Sequence, residues 1–173
     1  MMKTIFKFFI YLIVFLTALF LFLPKEPLYN LLENQLQKNK IIISDEQREE
    51  KLFGIDIKKG DIYYEGINIA NVNKLSFTSY LFYTNIHVVD IRLLDSLKNI
   101  VPTPINELTI QHSVLEFDKI LINANGEAIG FVDLLNRKVE IELEASSKMK
   151  SSYSKFLQNM ILREGKYIYE YKF

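Results

Sequence analysis

Few residues in this 173-residue chain can do chemistry. It has two histidines and no cysteine, which removes thiolate nucleophiles, thiolate metal sites and disulfides. His112 precedes Ser113 in TIQHSVLEFD, and His87 lies three residues before Asp90 in TNIHVVD. Both stretches alternate as strands do, and a period of two sends His112 and Ser113 to opposite faces, as it does His87 and Asp90. A nucleophile needs its base within hydrogen-bond reach, so each histidine reads as a structural residue. Glu140, Glu142 and Glu144 share one strand face, where carboxylates can gather a cation, but Lys138 stands on the same face and the set reads as a solvated one. None of the six glycines belongs to a glycine-rich loop opening a helix, the pattern that cradles phosphate. The expectation is a protein that is not an enzyme, with no catalytic, cofactor or metal residue.

Lys plus Arg and Asp plus Glu both number 21, and the basic residues are scattered, so no footprint for nucleic acid is present. The partner expected instead is membrane lipid. From Phe8 to Leu23 the chain carries no charge, and extended back to Ile5 it makes a helix roughly 28 Å long, matched to a bilayer core. Phe8, Leu12, Phe15, Leu19 and Leu23 are the anchor residues, and Lys7 can snorkel to the interface. MMK and Lys7 would also suit a signal peptide, but no small-x-small site precedes Pro24-Lys25-Glu26, so an uncleaved signal anchor is expected. Lys3 and Lys7 bias the N-terminus to the cytoplasm only slightly, because Lys25, Lys38 and Lys40 follow the anchor. The expected localisation is single-pass in an inner membrane, with the body in the periplasm.

After the anchor, Pro27 suits a helix start, and Leu28, Leu31, Leu32 and Leu36 recur at helical spacing. This amphipathic helix either caps the sheet or lies on the membrane surface. Ile41 to Ile43 is a β-branched run, and the charged DEQREEK reads as a solvated turn. Strand signals then follow: LFGIDIK, DIYYEG, INIANVN, KLSFTSYLFYTNIHVVDIRL, NELTIQHSVLEF, KILINAN, EAIGFVDL, KVEIELEA and KYIYEYKF. Turn chemistry bounds them at Lys59-Gly60-Asp61, Asn73-Lys74, Asn125-Gly126 and Asn136-Arg137. Gly66 and Gly126 sit at reversals, and Gly130 inside a strand marks a bulge or a close backbone approach. A short helix is expected over DSLKNI before VPTP, and another over Tyr153 to Ile161. In KYIYEYKF, Tyr167, Tyr169, Tyr171 and Phe173 share one face and read as a structural strand face buried in the core. The alternative is the closing strand of an outer-membrane barrel, which the preceding helix opposes.

The anchor ending LFLP, the helix PLYNLLENQL, the phrase YYEGINIANVNKLSF and the segment NGEAIGFVDLLNRKVEIELEAS resemble the type II secretion system protein N (GspN) family and AsmA-like envelope proteins. The resemblance implies a bitopic inner-membrane protein with a β-rich periplasmic body and envelope or secretion-system proteins as partners. The fold expected is mainly β: an antiparallel, layered sheet with two or three short helices after an N-terminal transmembrane helix. Residues 1–24 form the transmembrane signal anchor, 25–40 the juxtamembrane amphipathic helix and 41–173 the β-rich extracytoplasmic domain. The expected function is a non-catalytic envelope or secretion-system assembly component. The alternatives are a lipid-binding or lipid-transfer module with an apolar concave sheet and, less favoured, a small outer-membrane β-barrel.

Overall fold

The computed structural model describes residues 2–22, 25–80, 82–94, 97 and 105–173. Among them are four short helices, α1 (Met2–Phe22), α2 (Lys25–Lys38), α3 (Ser147–Ser152) and α4 (Ser154–Leu157). The strands are β1 (Ile41–Ser44), β2 (Gln47–Lys51), β3 (Gly54–Tyr64), β4 (Ile67–Tyr80), β5 (Tyr83–Leu93), β6 (Ile105–Ser113), β7 (Glu116–Ala124), β8 (Ala128–Asp133), β9 (Lys138–Leu143), β10 (Ile161–Arg163) and β11 (Lys166–Lys172). They form one 11-stranded sheet, with every pairing antiparallel. The order is β1-β3-β4-β5-β6-β7-β8-β9-β11-β10, and β2 pairs β3 beside β1. β1 and β2 lie at one margin and β10 at the other, so the sheet is open and the barrel alternative is not met. It is a single sheet and not a layered one.

Several expected boundaries move. DEQREEK supplies a strand, because β2 is an edge whose charges find partners: Arg48 bonds Asn30, Glu33 and Glu46, and Lys58 bonds Glu49. The helix expected over Tyr153 to Ile161 is broken. Ser146 caps α3, Tyr153 leaves helical geometry at φ −122° and ψ 33°, and Ile161 opens a β-hairpin. The helix expected over DSLKNI falls mostly outside the described residues.

Two expected turns are not turns. Lys59 and Asn73 lie inside the continuous strands β3 and β4, in a row with Asp90 of β5. Lys59 and Asp90 hold φ of 58° and 57°, the left-handed region that β-strands avoid. The effect is a change of phase without a change of register. Ile57 and Ile55 face one way; beyond Lys59, Gly60 faces that way too, since a Cβ there would lie 3.9 Å from the Ile57 side chain. Val72, Ala70 and Ile91 therefore join Val88 in one core cluster, packed against Leu75, Ile86 and Leu108. One face of the sheet stays apolar across the kink.

Asn125-Gly126 is a turn as expected, with both φ positive, and so is Glu65-Gly66. Gly130 marks a close approach: a Cβ there would stand 2.2 Å from the Glu140 carbonyl oxygen.

Candidate functional site

The ladders align the apolar residues into rows running across the strands. One row passes through Ile55, Phe77, Ile86 and Ile110 on β3 to β6. It continues through Ile122, Gly130, Ile141 and Tyr169 on β7, β8, β9 and β11. A second row begins with Ile57, Leu75, Val88 and Leu108 and goes on to Leu143 and Tyr167. Ile120, Val132, Val139 and Tyr171 start a third at the β7 to β11 end. From β3 to β11 the rows extend about 34 Å at ~4.8 Å per strand, whereas one leaflet of a bilayer core is about 15 Å deep.

The opposite face is polar and ion-paired except on β7 and β8, where Leu121 and Ile129 are exposed beside Phe131. Asp56 lies 3.0 Å from Lys51 and 3.2 Å from Lys74. Lys166 bridges Glu142 at 3.0 Å and Glu144 at 3.4 Å, and Lys138 pairs with Glu140. Glu140, Glu142 and Glu144, read from the sequence as a solvated face, are thus ion-paired with two lysines, and no metal-holding cluster occurs among the described residues.

Among the described residues, helices cover the apolar face in two places. At the β3 margin α2 sets Tyr29, 1% exposed, on Ile55 and Ile57. The leucines expected to do this contribute less: Leu31 is exposed, and Leu32 and Leu36 are half-buried. Toward β6 to β9, Met149, Phe156 and Met160 overlie Ala124, Ala128 and Leu143, lining a half-open, mainly apolar pocket of about 130 Å³. Between these covers Phe77, Ile86, Ile110, Ile122, Val132 and Val139 stay only half-buried. The aromatic strand face also differs from expectation. β11 is integral to the sheet, but Tyr169, Tyr171 and Phe173 are exposed and Tyr167 half-buried, because no described helix packs over them.

His87 Nδ1 lies 3.4 Å from the Thr109 hydroxyl and 3.6 Å from Glu107, both on the neighbouring strand. His112 Nε2 lies 3.1 Å from the Phe117 carbonyl, within its own hairpin. Ser113 donates nothing to either ring; its hydroxyl accepts the Leu115 N–H.

α1 stands clear of the sheet, with every residue from Lys3 to Thr17 exposed, including Phe8, Leu12 and Phe15. The Leu19 side chain and all of Leu23 lie outside the described residues. Counted over described residues alone, no helix is long and apolar enough to cross a membrane. The α1 backbone is 21 residues long, about 31 Å at 1.5 Å per residue.

No protein-family model matches the chain, and neither does a curated protein or a solved structure.

Proposed function

We propose that the protein is a non-catalytic envelope component that binds lipid acyl chains along the apolar face of its sheet, anchored in an inner membrane by α1 with the body in the periplasm. The observation that carries this reading is the stretch of the first row from Phe77 through Ile86 and Ile110 to Ile122, left half-exposed between α2 and α3–α4. A soluble protein buries such a row under helices, because each half-exposed aliphatic side chain forgoes part of the about 1.5–3 kcal/mol that full burial gives. Acyl chains laid on the rows recover that energy. The uncharged, exposed run of α1 from Phe8 to Leu16 supports the tether, since a helical stretch greasy all round has no stable place in water. The layout of anchor, short helix and β-rich body agrees with the resemblance to GspN and AsmA-like proteins.

Photocrosslinking tests the reading directly. Benzoylphenylalanine at Ile122, on the apolar face, should form phospholipid adducts in cells, and at Thr78, on the opposite face beside Asn85, it should not. Equal lipid labelling at the two positions would sink the reading. Protein adducts confined to Ile122 would replace it with an assembly scaffold whose partner covers the face.

A further inference from the structure

The two ends of the sheet differ in a way the apolar face does not account for. At one end the hairpins turn through Glu65-Gly66, Asn125-Gly126 and Glu164-Gly165, all with positive φ, the polar chemistry that tight turns favour. At the other end four hairpins turn through large apolar residues. β2–β3 presents Leu52, β4–β5 Phe82, β6–β7 Leu115 and β8–β9 Leu135, and these are 63%, 65%, 91% and 69% exposed. The tips are tied side by side: the Val114 N–H donates to Phe82 O, and the Leu134 N–H to Asp118 O. Alternate hairpins lie ~10 Å apart, so four tips make an apolar crest about 30 Å long. Tyr80 and Tyr83 stand one level behind, Tyr80 against the Phe53 ring at 5.0 Å, in the order of depth seen at membrane interfaces.

What meets this crest follows from where α1 joins the body. α2 begins at Lys25, and the Glu26 N–H donates to Glu50 Oε1 at 3.2 Å, two residues from the Leu52 tip. The exposed apolar helix therefore leaves the body at the crest end, not at the glycine-turn end.

We propose that the crest is a second membrane contact: Leu52, Phe82, Leu115 and Leu135 dip into the interfacial layer of the same bilayer that holds α1, standing the strands upright on it. Depths of about 5–10 Å are typical of interfacial insertion. The flanks carry both signs, Arg137 and Lys172 against Glu116 and Asp118, all exposed or half-exposed, so insertion rests on apolar burial and not on anionic headgroups. The proposal rests on the tether reading for the identity of the bilayer, and its test reports on tether and crest separately.

The chain has no cysteine, so single-cysteine variants of the full chain accept one environment-sensitive NBD probe each. Leu115→Cys and Leu135→Cys sample the crest, Glu127→Cys the glycine-turn end and Ile13→Cys the anchor. In phosphatidylcholine vesicles the crest probes should shift to the blue, brighten several-fold and be quenched by lipids with a nitroxide near the headgroup. The Glu127 probe should remain water-like, and adding phosphatidylglycerol should change none of these. Crest probes that stay water-like while the Ile13 probe is quenched by deep nitroxides would overturn the crest and leave the tether. An Ile13 probe in water with dry crest probes would do the reverse. In the background of Leu52→Asp with Phe82→Asp, solvent-exposed changes that spare the fold, the Leu115 probe should lose most of its quenching; retention of full quenching would also overturn the crest.

Discussion

The Tyr29 hydroxyl donates a hydrogen bond to Glu46 Oε2 at 2.8 Å, and this contact pins α2 to the sheet. The ring lies on Ile55 and Ile57, and the Arg48 guanidinium sits 4.7 Å from its centroid. A single buried side chain thus joins the helix that follows α1 to both the edge strand and the apolar rows. Burial first, then the bond to Glu46, pushes the hydroxyl well above the ordinary tyrosine range.

Tyr29→Ala should therefore cost about 3–5 kcal/mol by opening a cavity, whereas Tyr29→Phe should cost about 1 kcal/mol for the lost hydrogen bond. A group whose folded pKa is raised gives stability that is complete below its unfolded value, near pH 10, and lost as the pH climbs past it. Alkaline melts of the detergent-solubilised chain should show that loss in the wild type and a smaller one in Tyr29→Phe. An equal alkaline loss in both would assign it to other groups.

Asp56 makes the opposite prediction at acid pH. Burial pushes its carboxyl up, but hydrogen bonds from Lys51, Ser76 and Lys74, with the Lys74 charge, outweigh this and hold it below the usual range. Its stabilisation is present above the unfolded value, near pH 4, and is lost as the pH falls through the lower folded one. Asp56→Asn should cost about 1–2 kcal/mol at neutral pH, since both lysines are half in solvent, and the gap from wild type should close in acid.

The alternation of KVEIELEA and its neighbours made the antiparallel ladder legible, because Val139, Ile141 and Leu143 can face only one way together. The kink was not legible. Lys59-Gly60-Asp61 looks like a turn because Lys59 holds a left-handed φ inside its strand, as a residue at a reversal does, and Asn73-Lys74 looks like one because it lies opposite on the paired strand with the same polar chemistry. Tyr29 is masked in the sequence by the leucine spacing beside it, although Tyr29, Leu32 and Leu36 follow i, i+3, i+7 on one helix face. The charged β2 is solvated as expected but reads as a turn, because its partners Asn30 and Glu33 come from a helix more than a dozen residues earlier. The apolar crest had a signal in plain view: Leu, Phe and Val at positions where hairpins carry Asn and Gly.

Gly130 tests the close packing of the ladder. Gly130→Ala would place a Cβ 2.2 Å from Glu140 O and 2.8 Å from Ile141 Cα, both backbone atoms that cannot swing aside. The expected cost is about 3 kcal/mol or more. Gly126→Ala meets nothing within 4 Å and strains only its φ of 71°, a cost of about 1–2 kcal/mol. Urea midpoints of the two variants should differ in that order, and the reverse order would show that β8 and β9 separate easily.

Tyr169 and Tyr171 separate binding from stability. Both rings extend the rows onto β11, yet they are 39% and 54% exposed, so little folding energy rests on them. Tyr169→Ser with Tyr171→Ser should shift stability by about 1 kcal/mol at most, as surface changes do. If acyl chains lie on the rows, the same pair removes two aromatic contacts and should reduce the phospholipid that copurifies per chain. Ile168→Ser on the opposite face of β11 should leave that lipid unchanged. The measurement is phosphate per chain after detergent exchange, read beside a thermal melt. Unchanged lipid in the tyrosine pair with an intact melt would confine lipid to the part of the rows between Phe77 and Ile122, and a collapsed melt would show that the tyrosine face is a structural one after all.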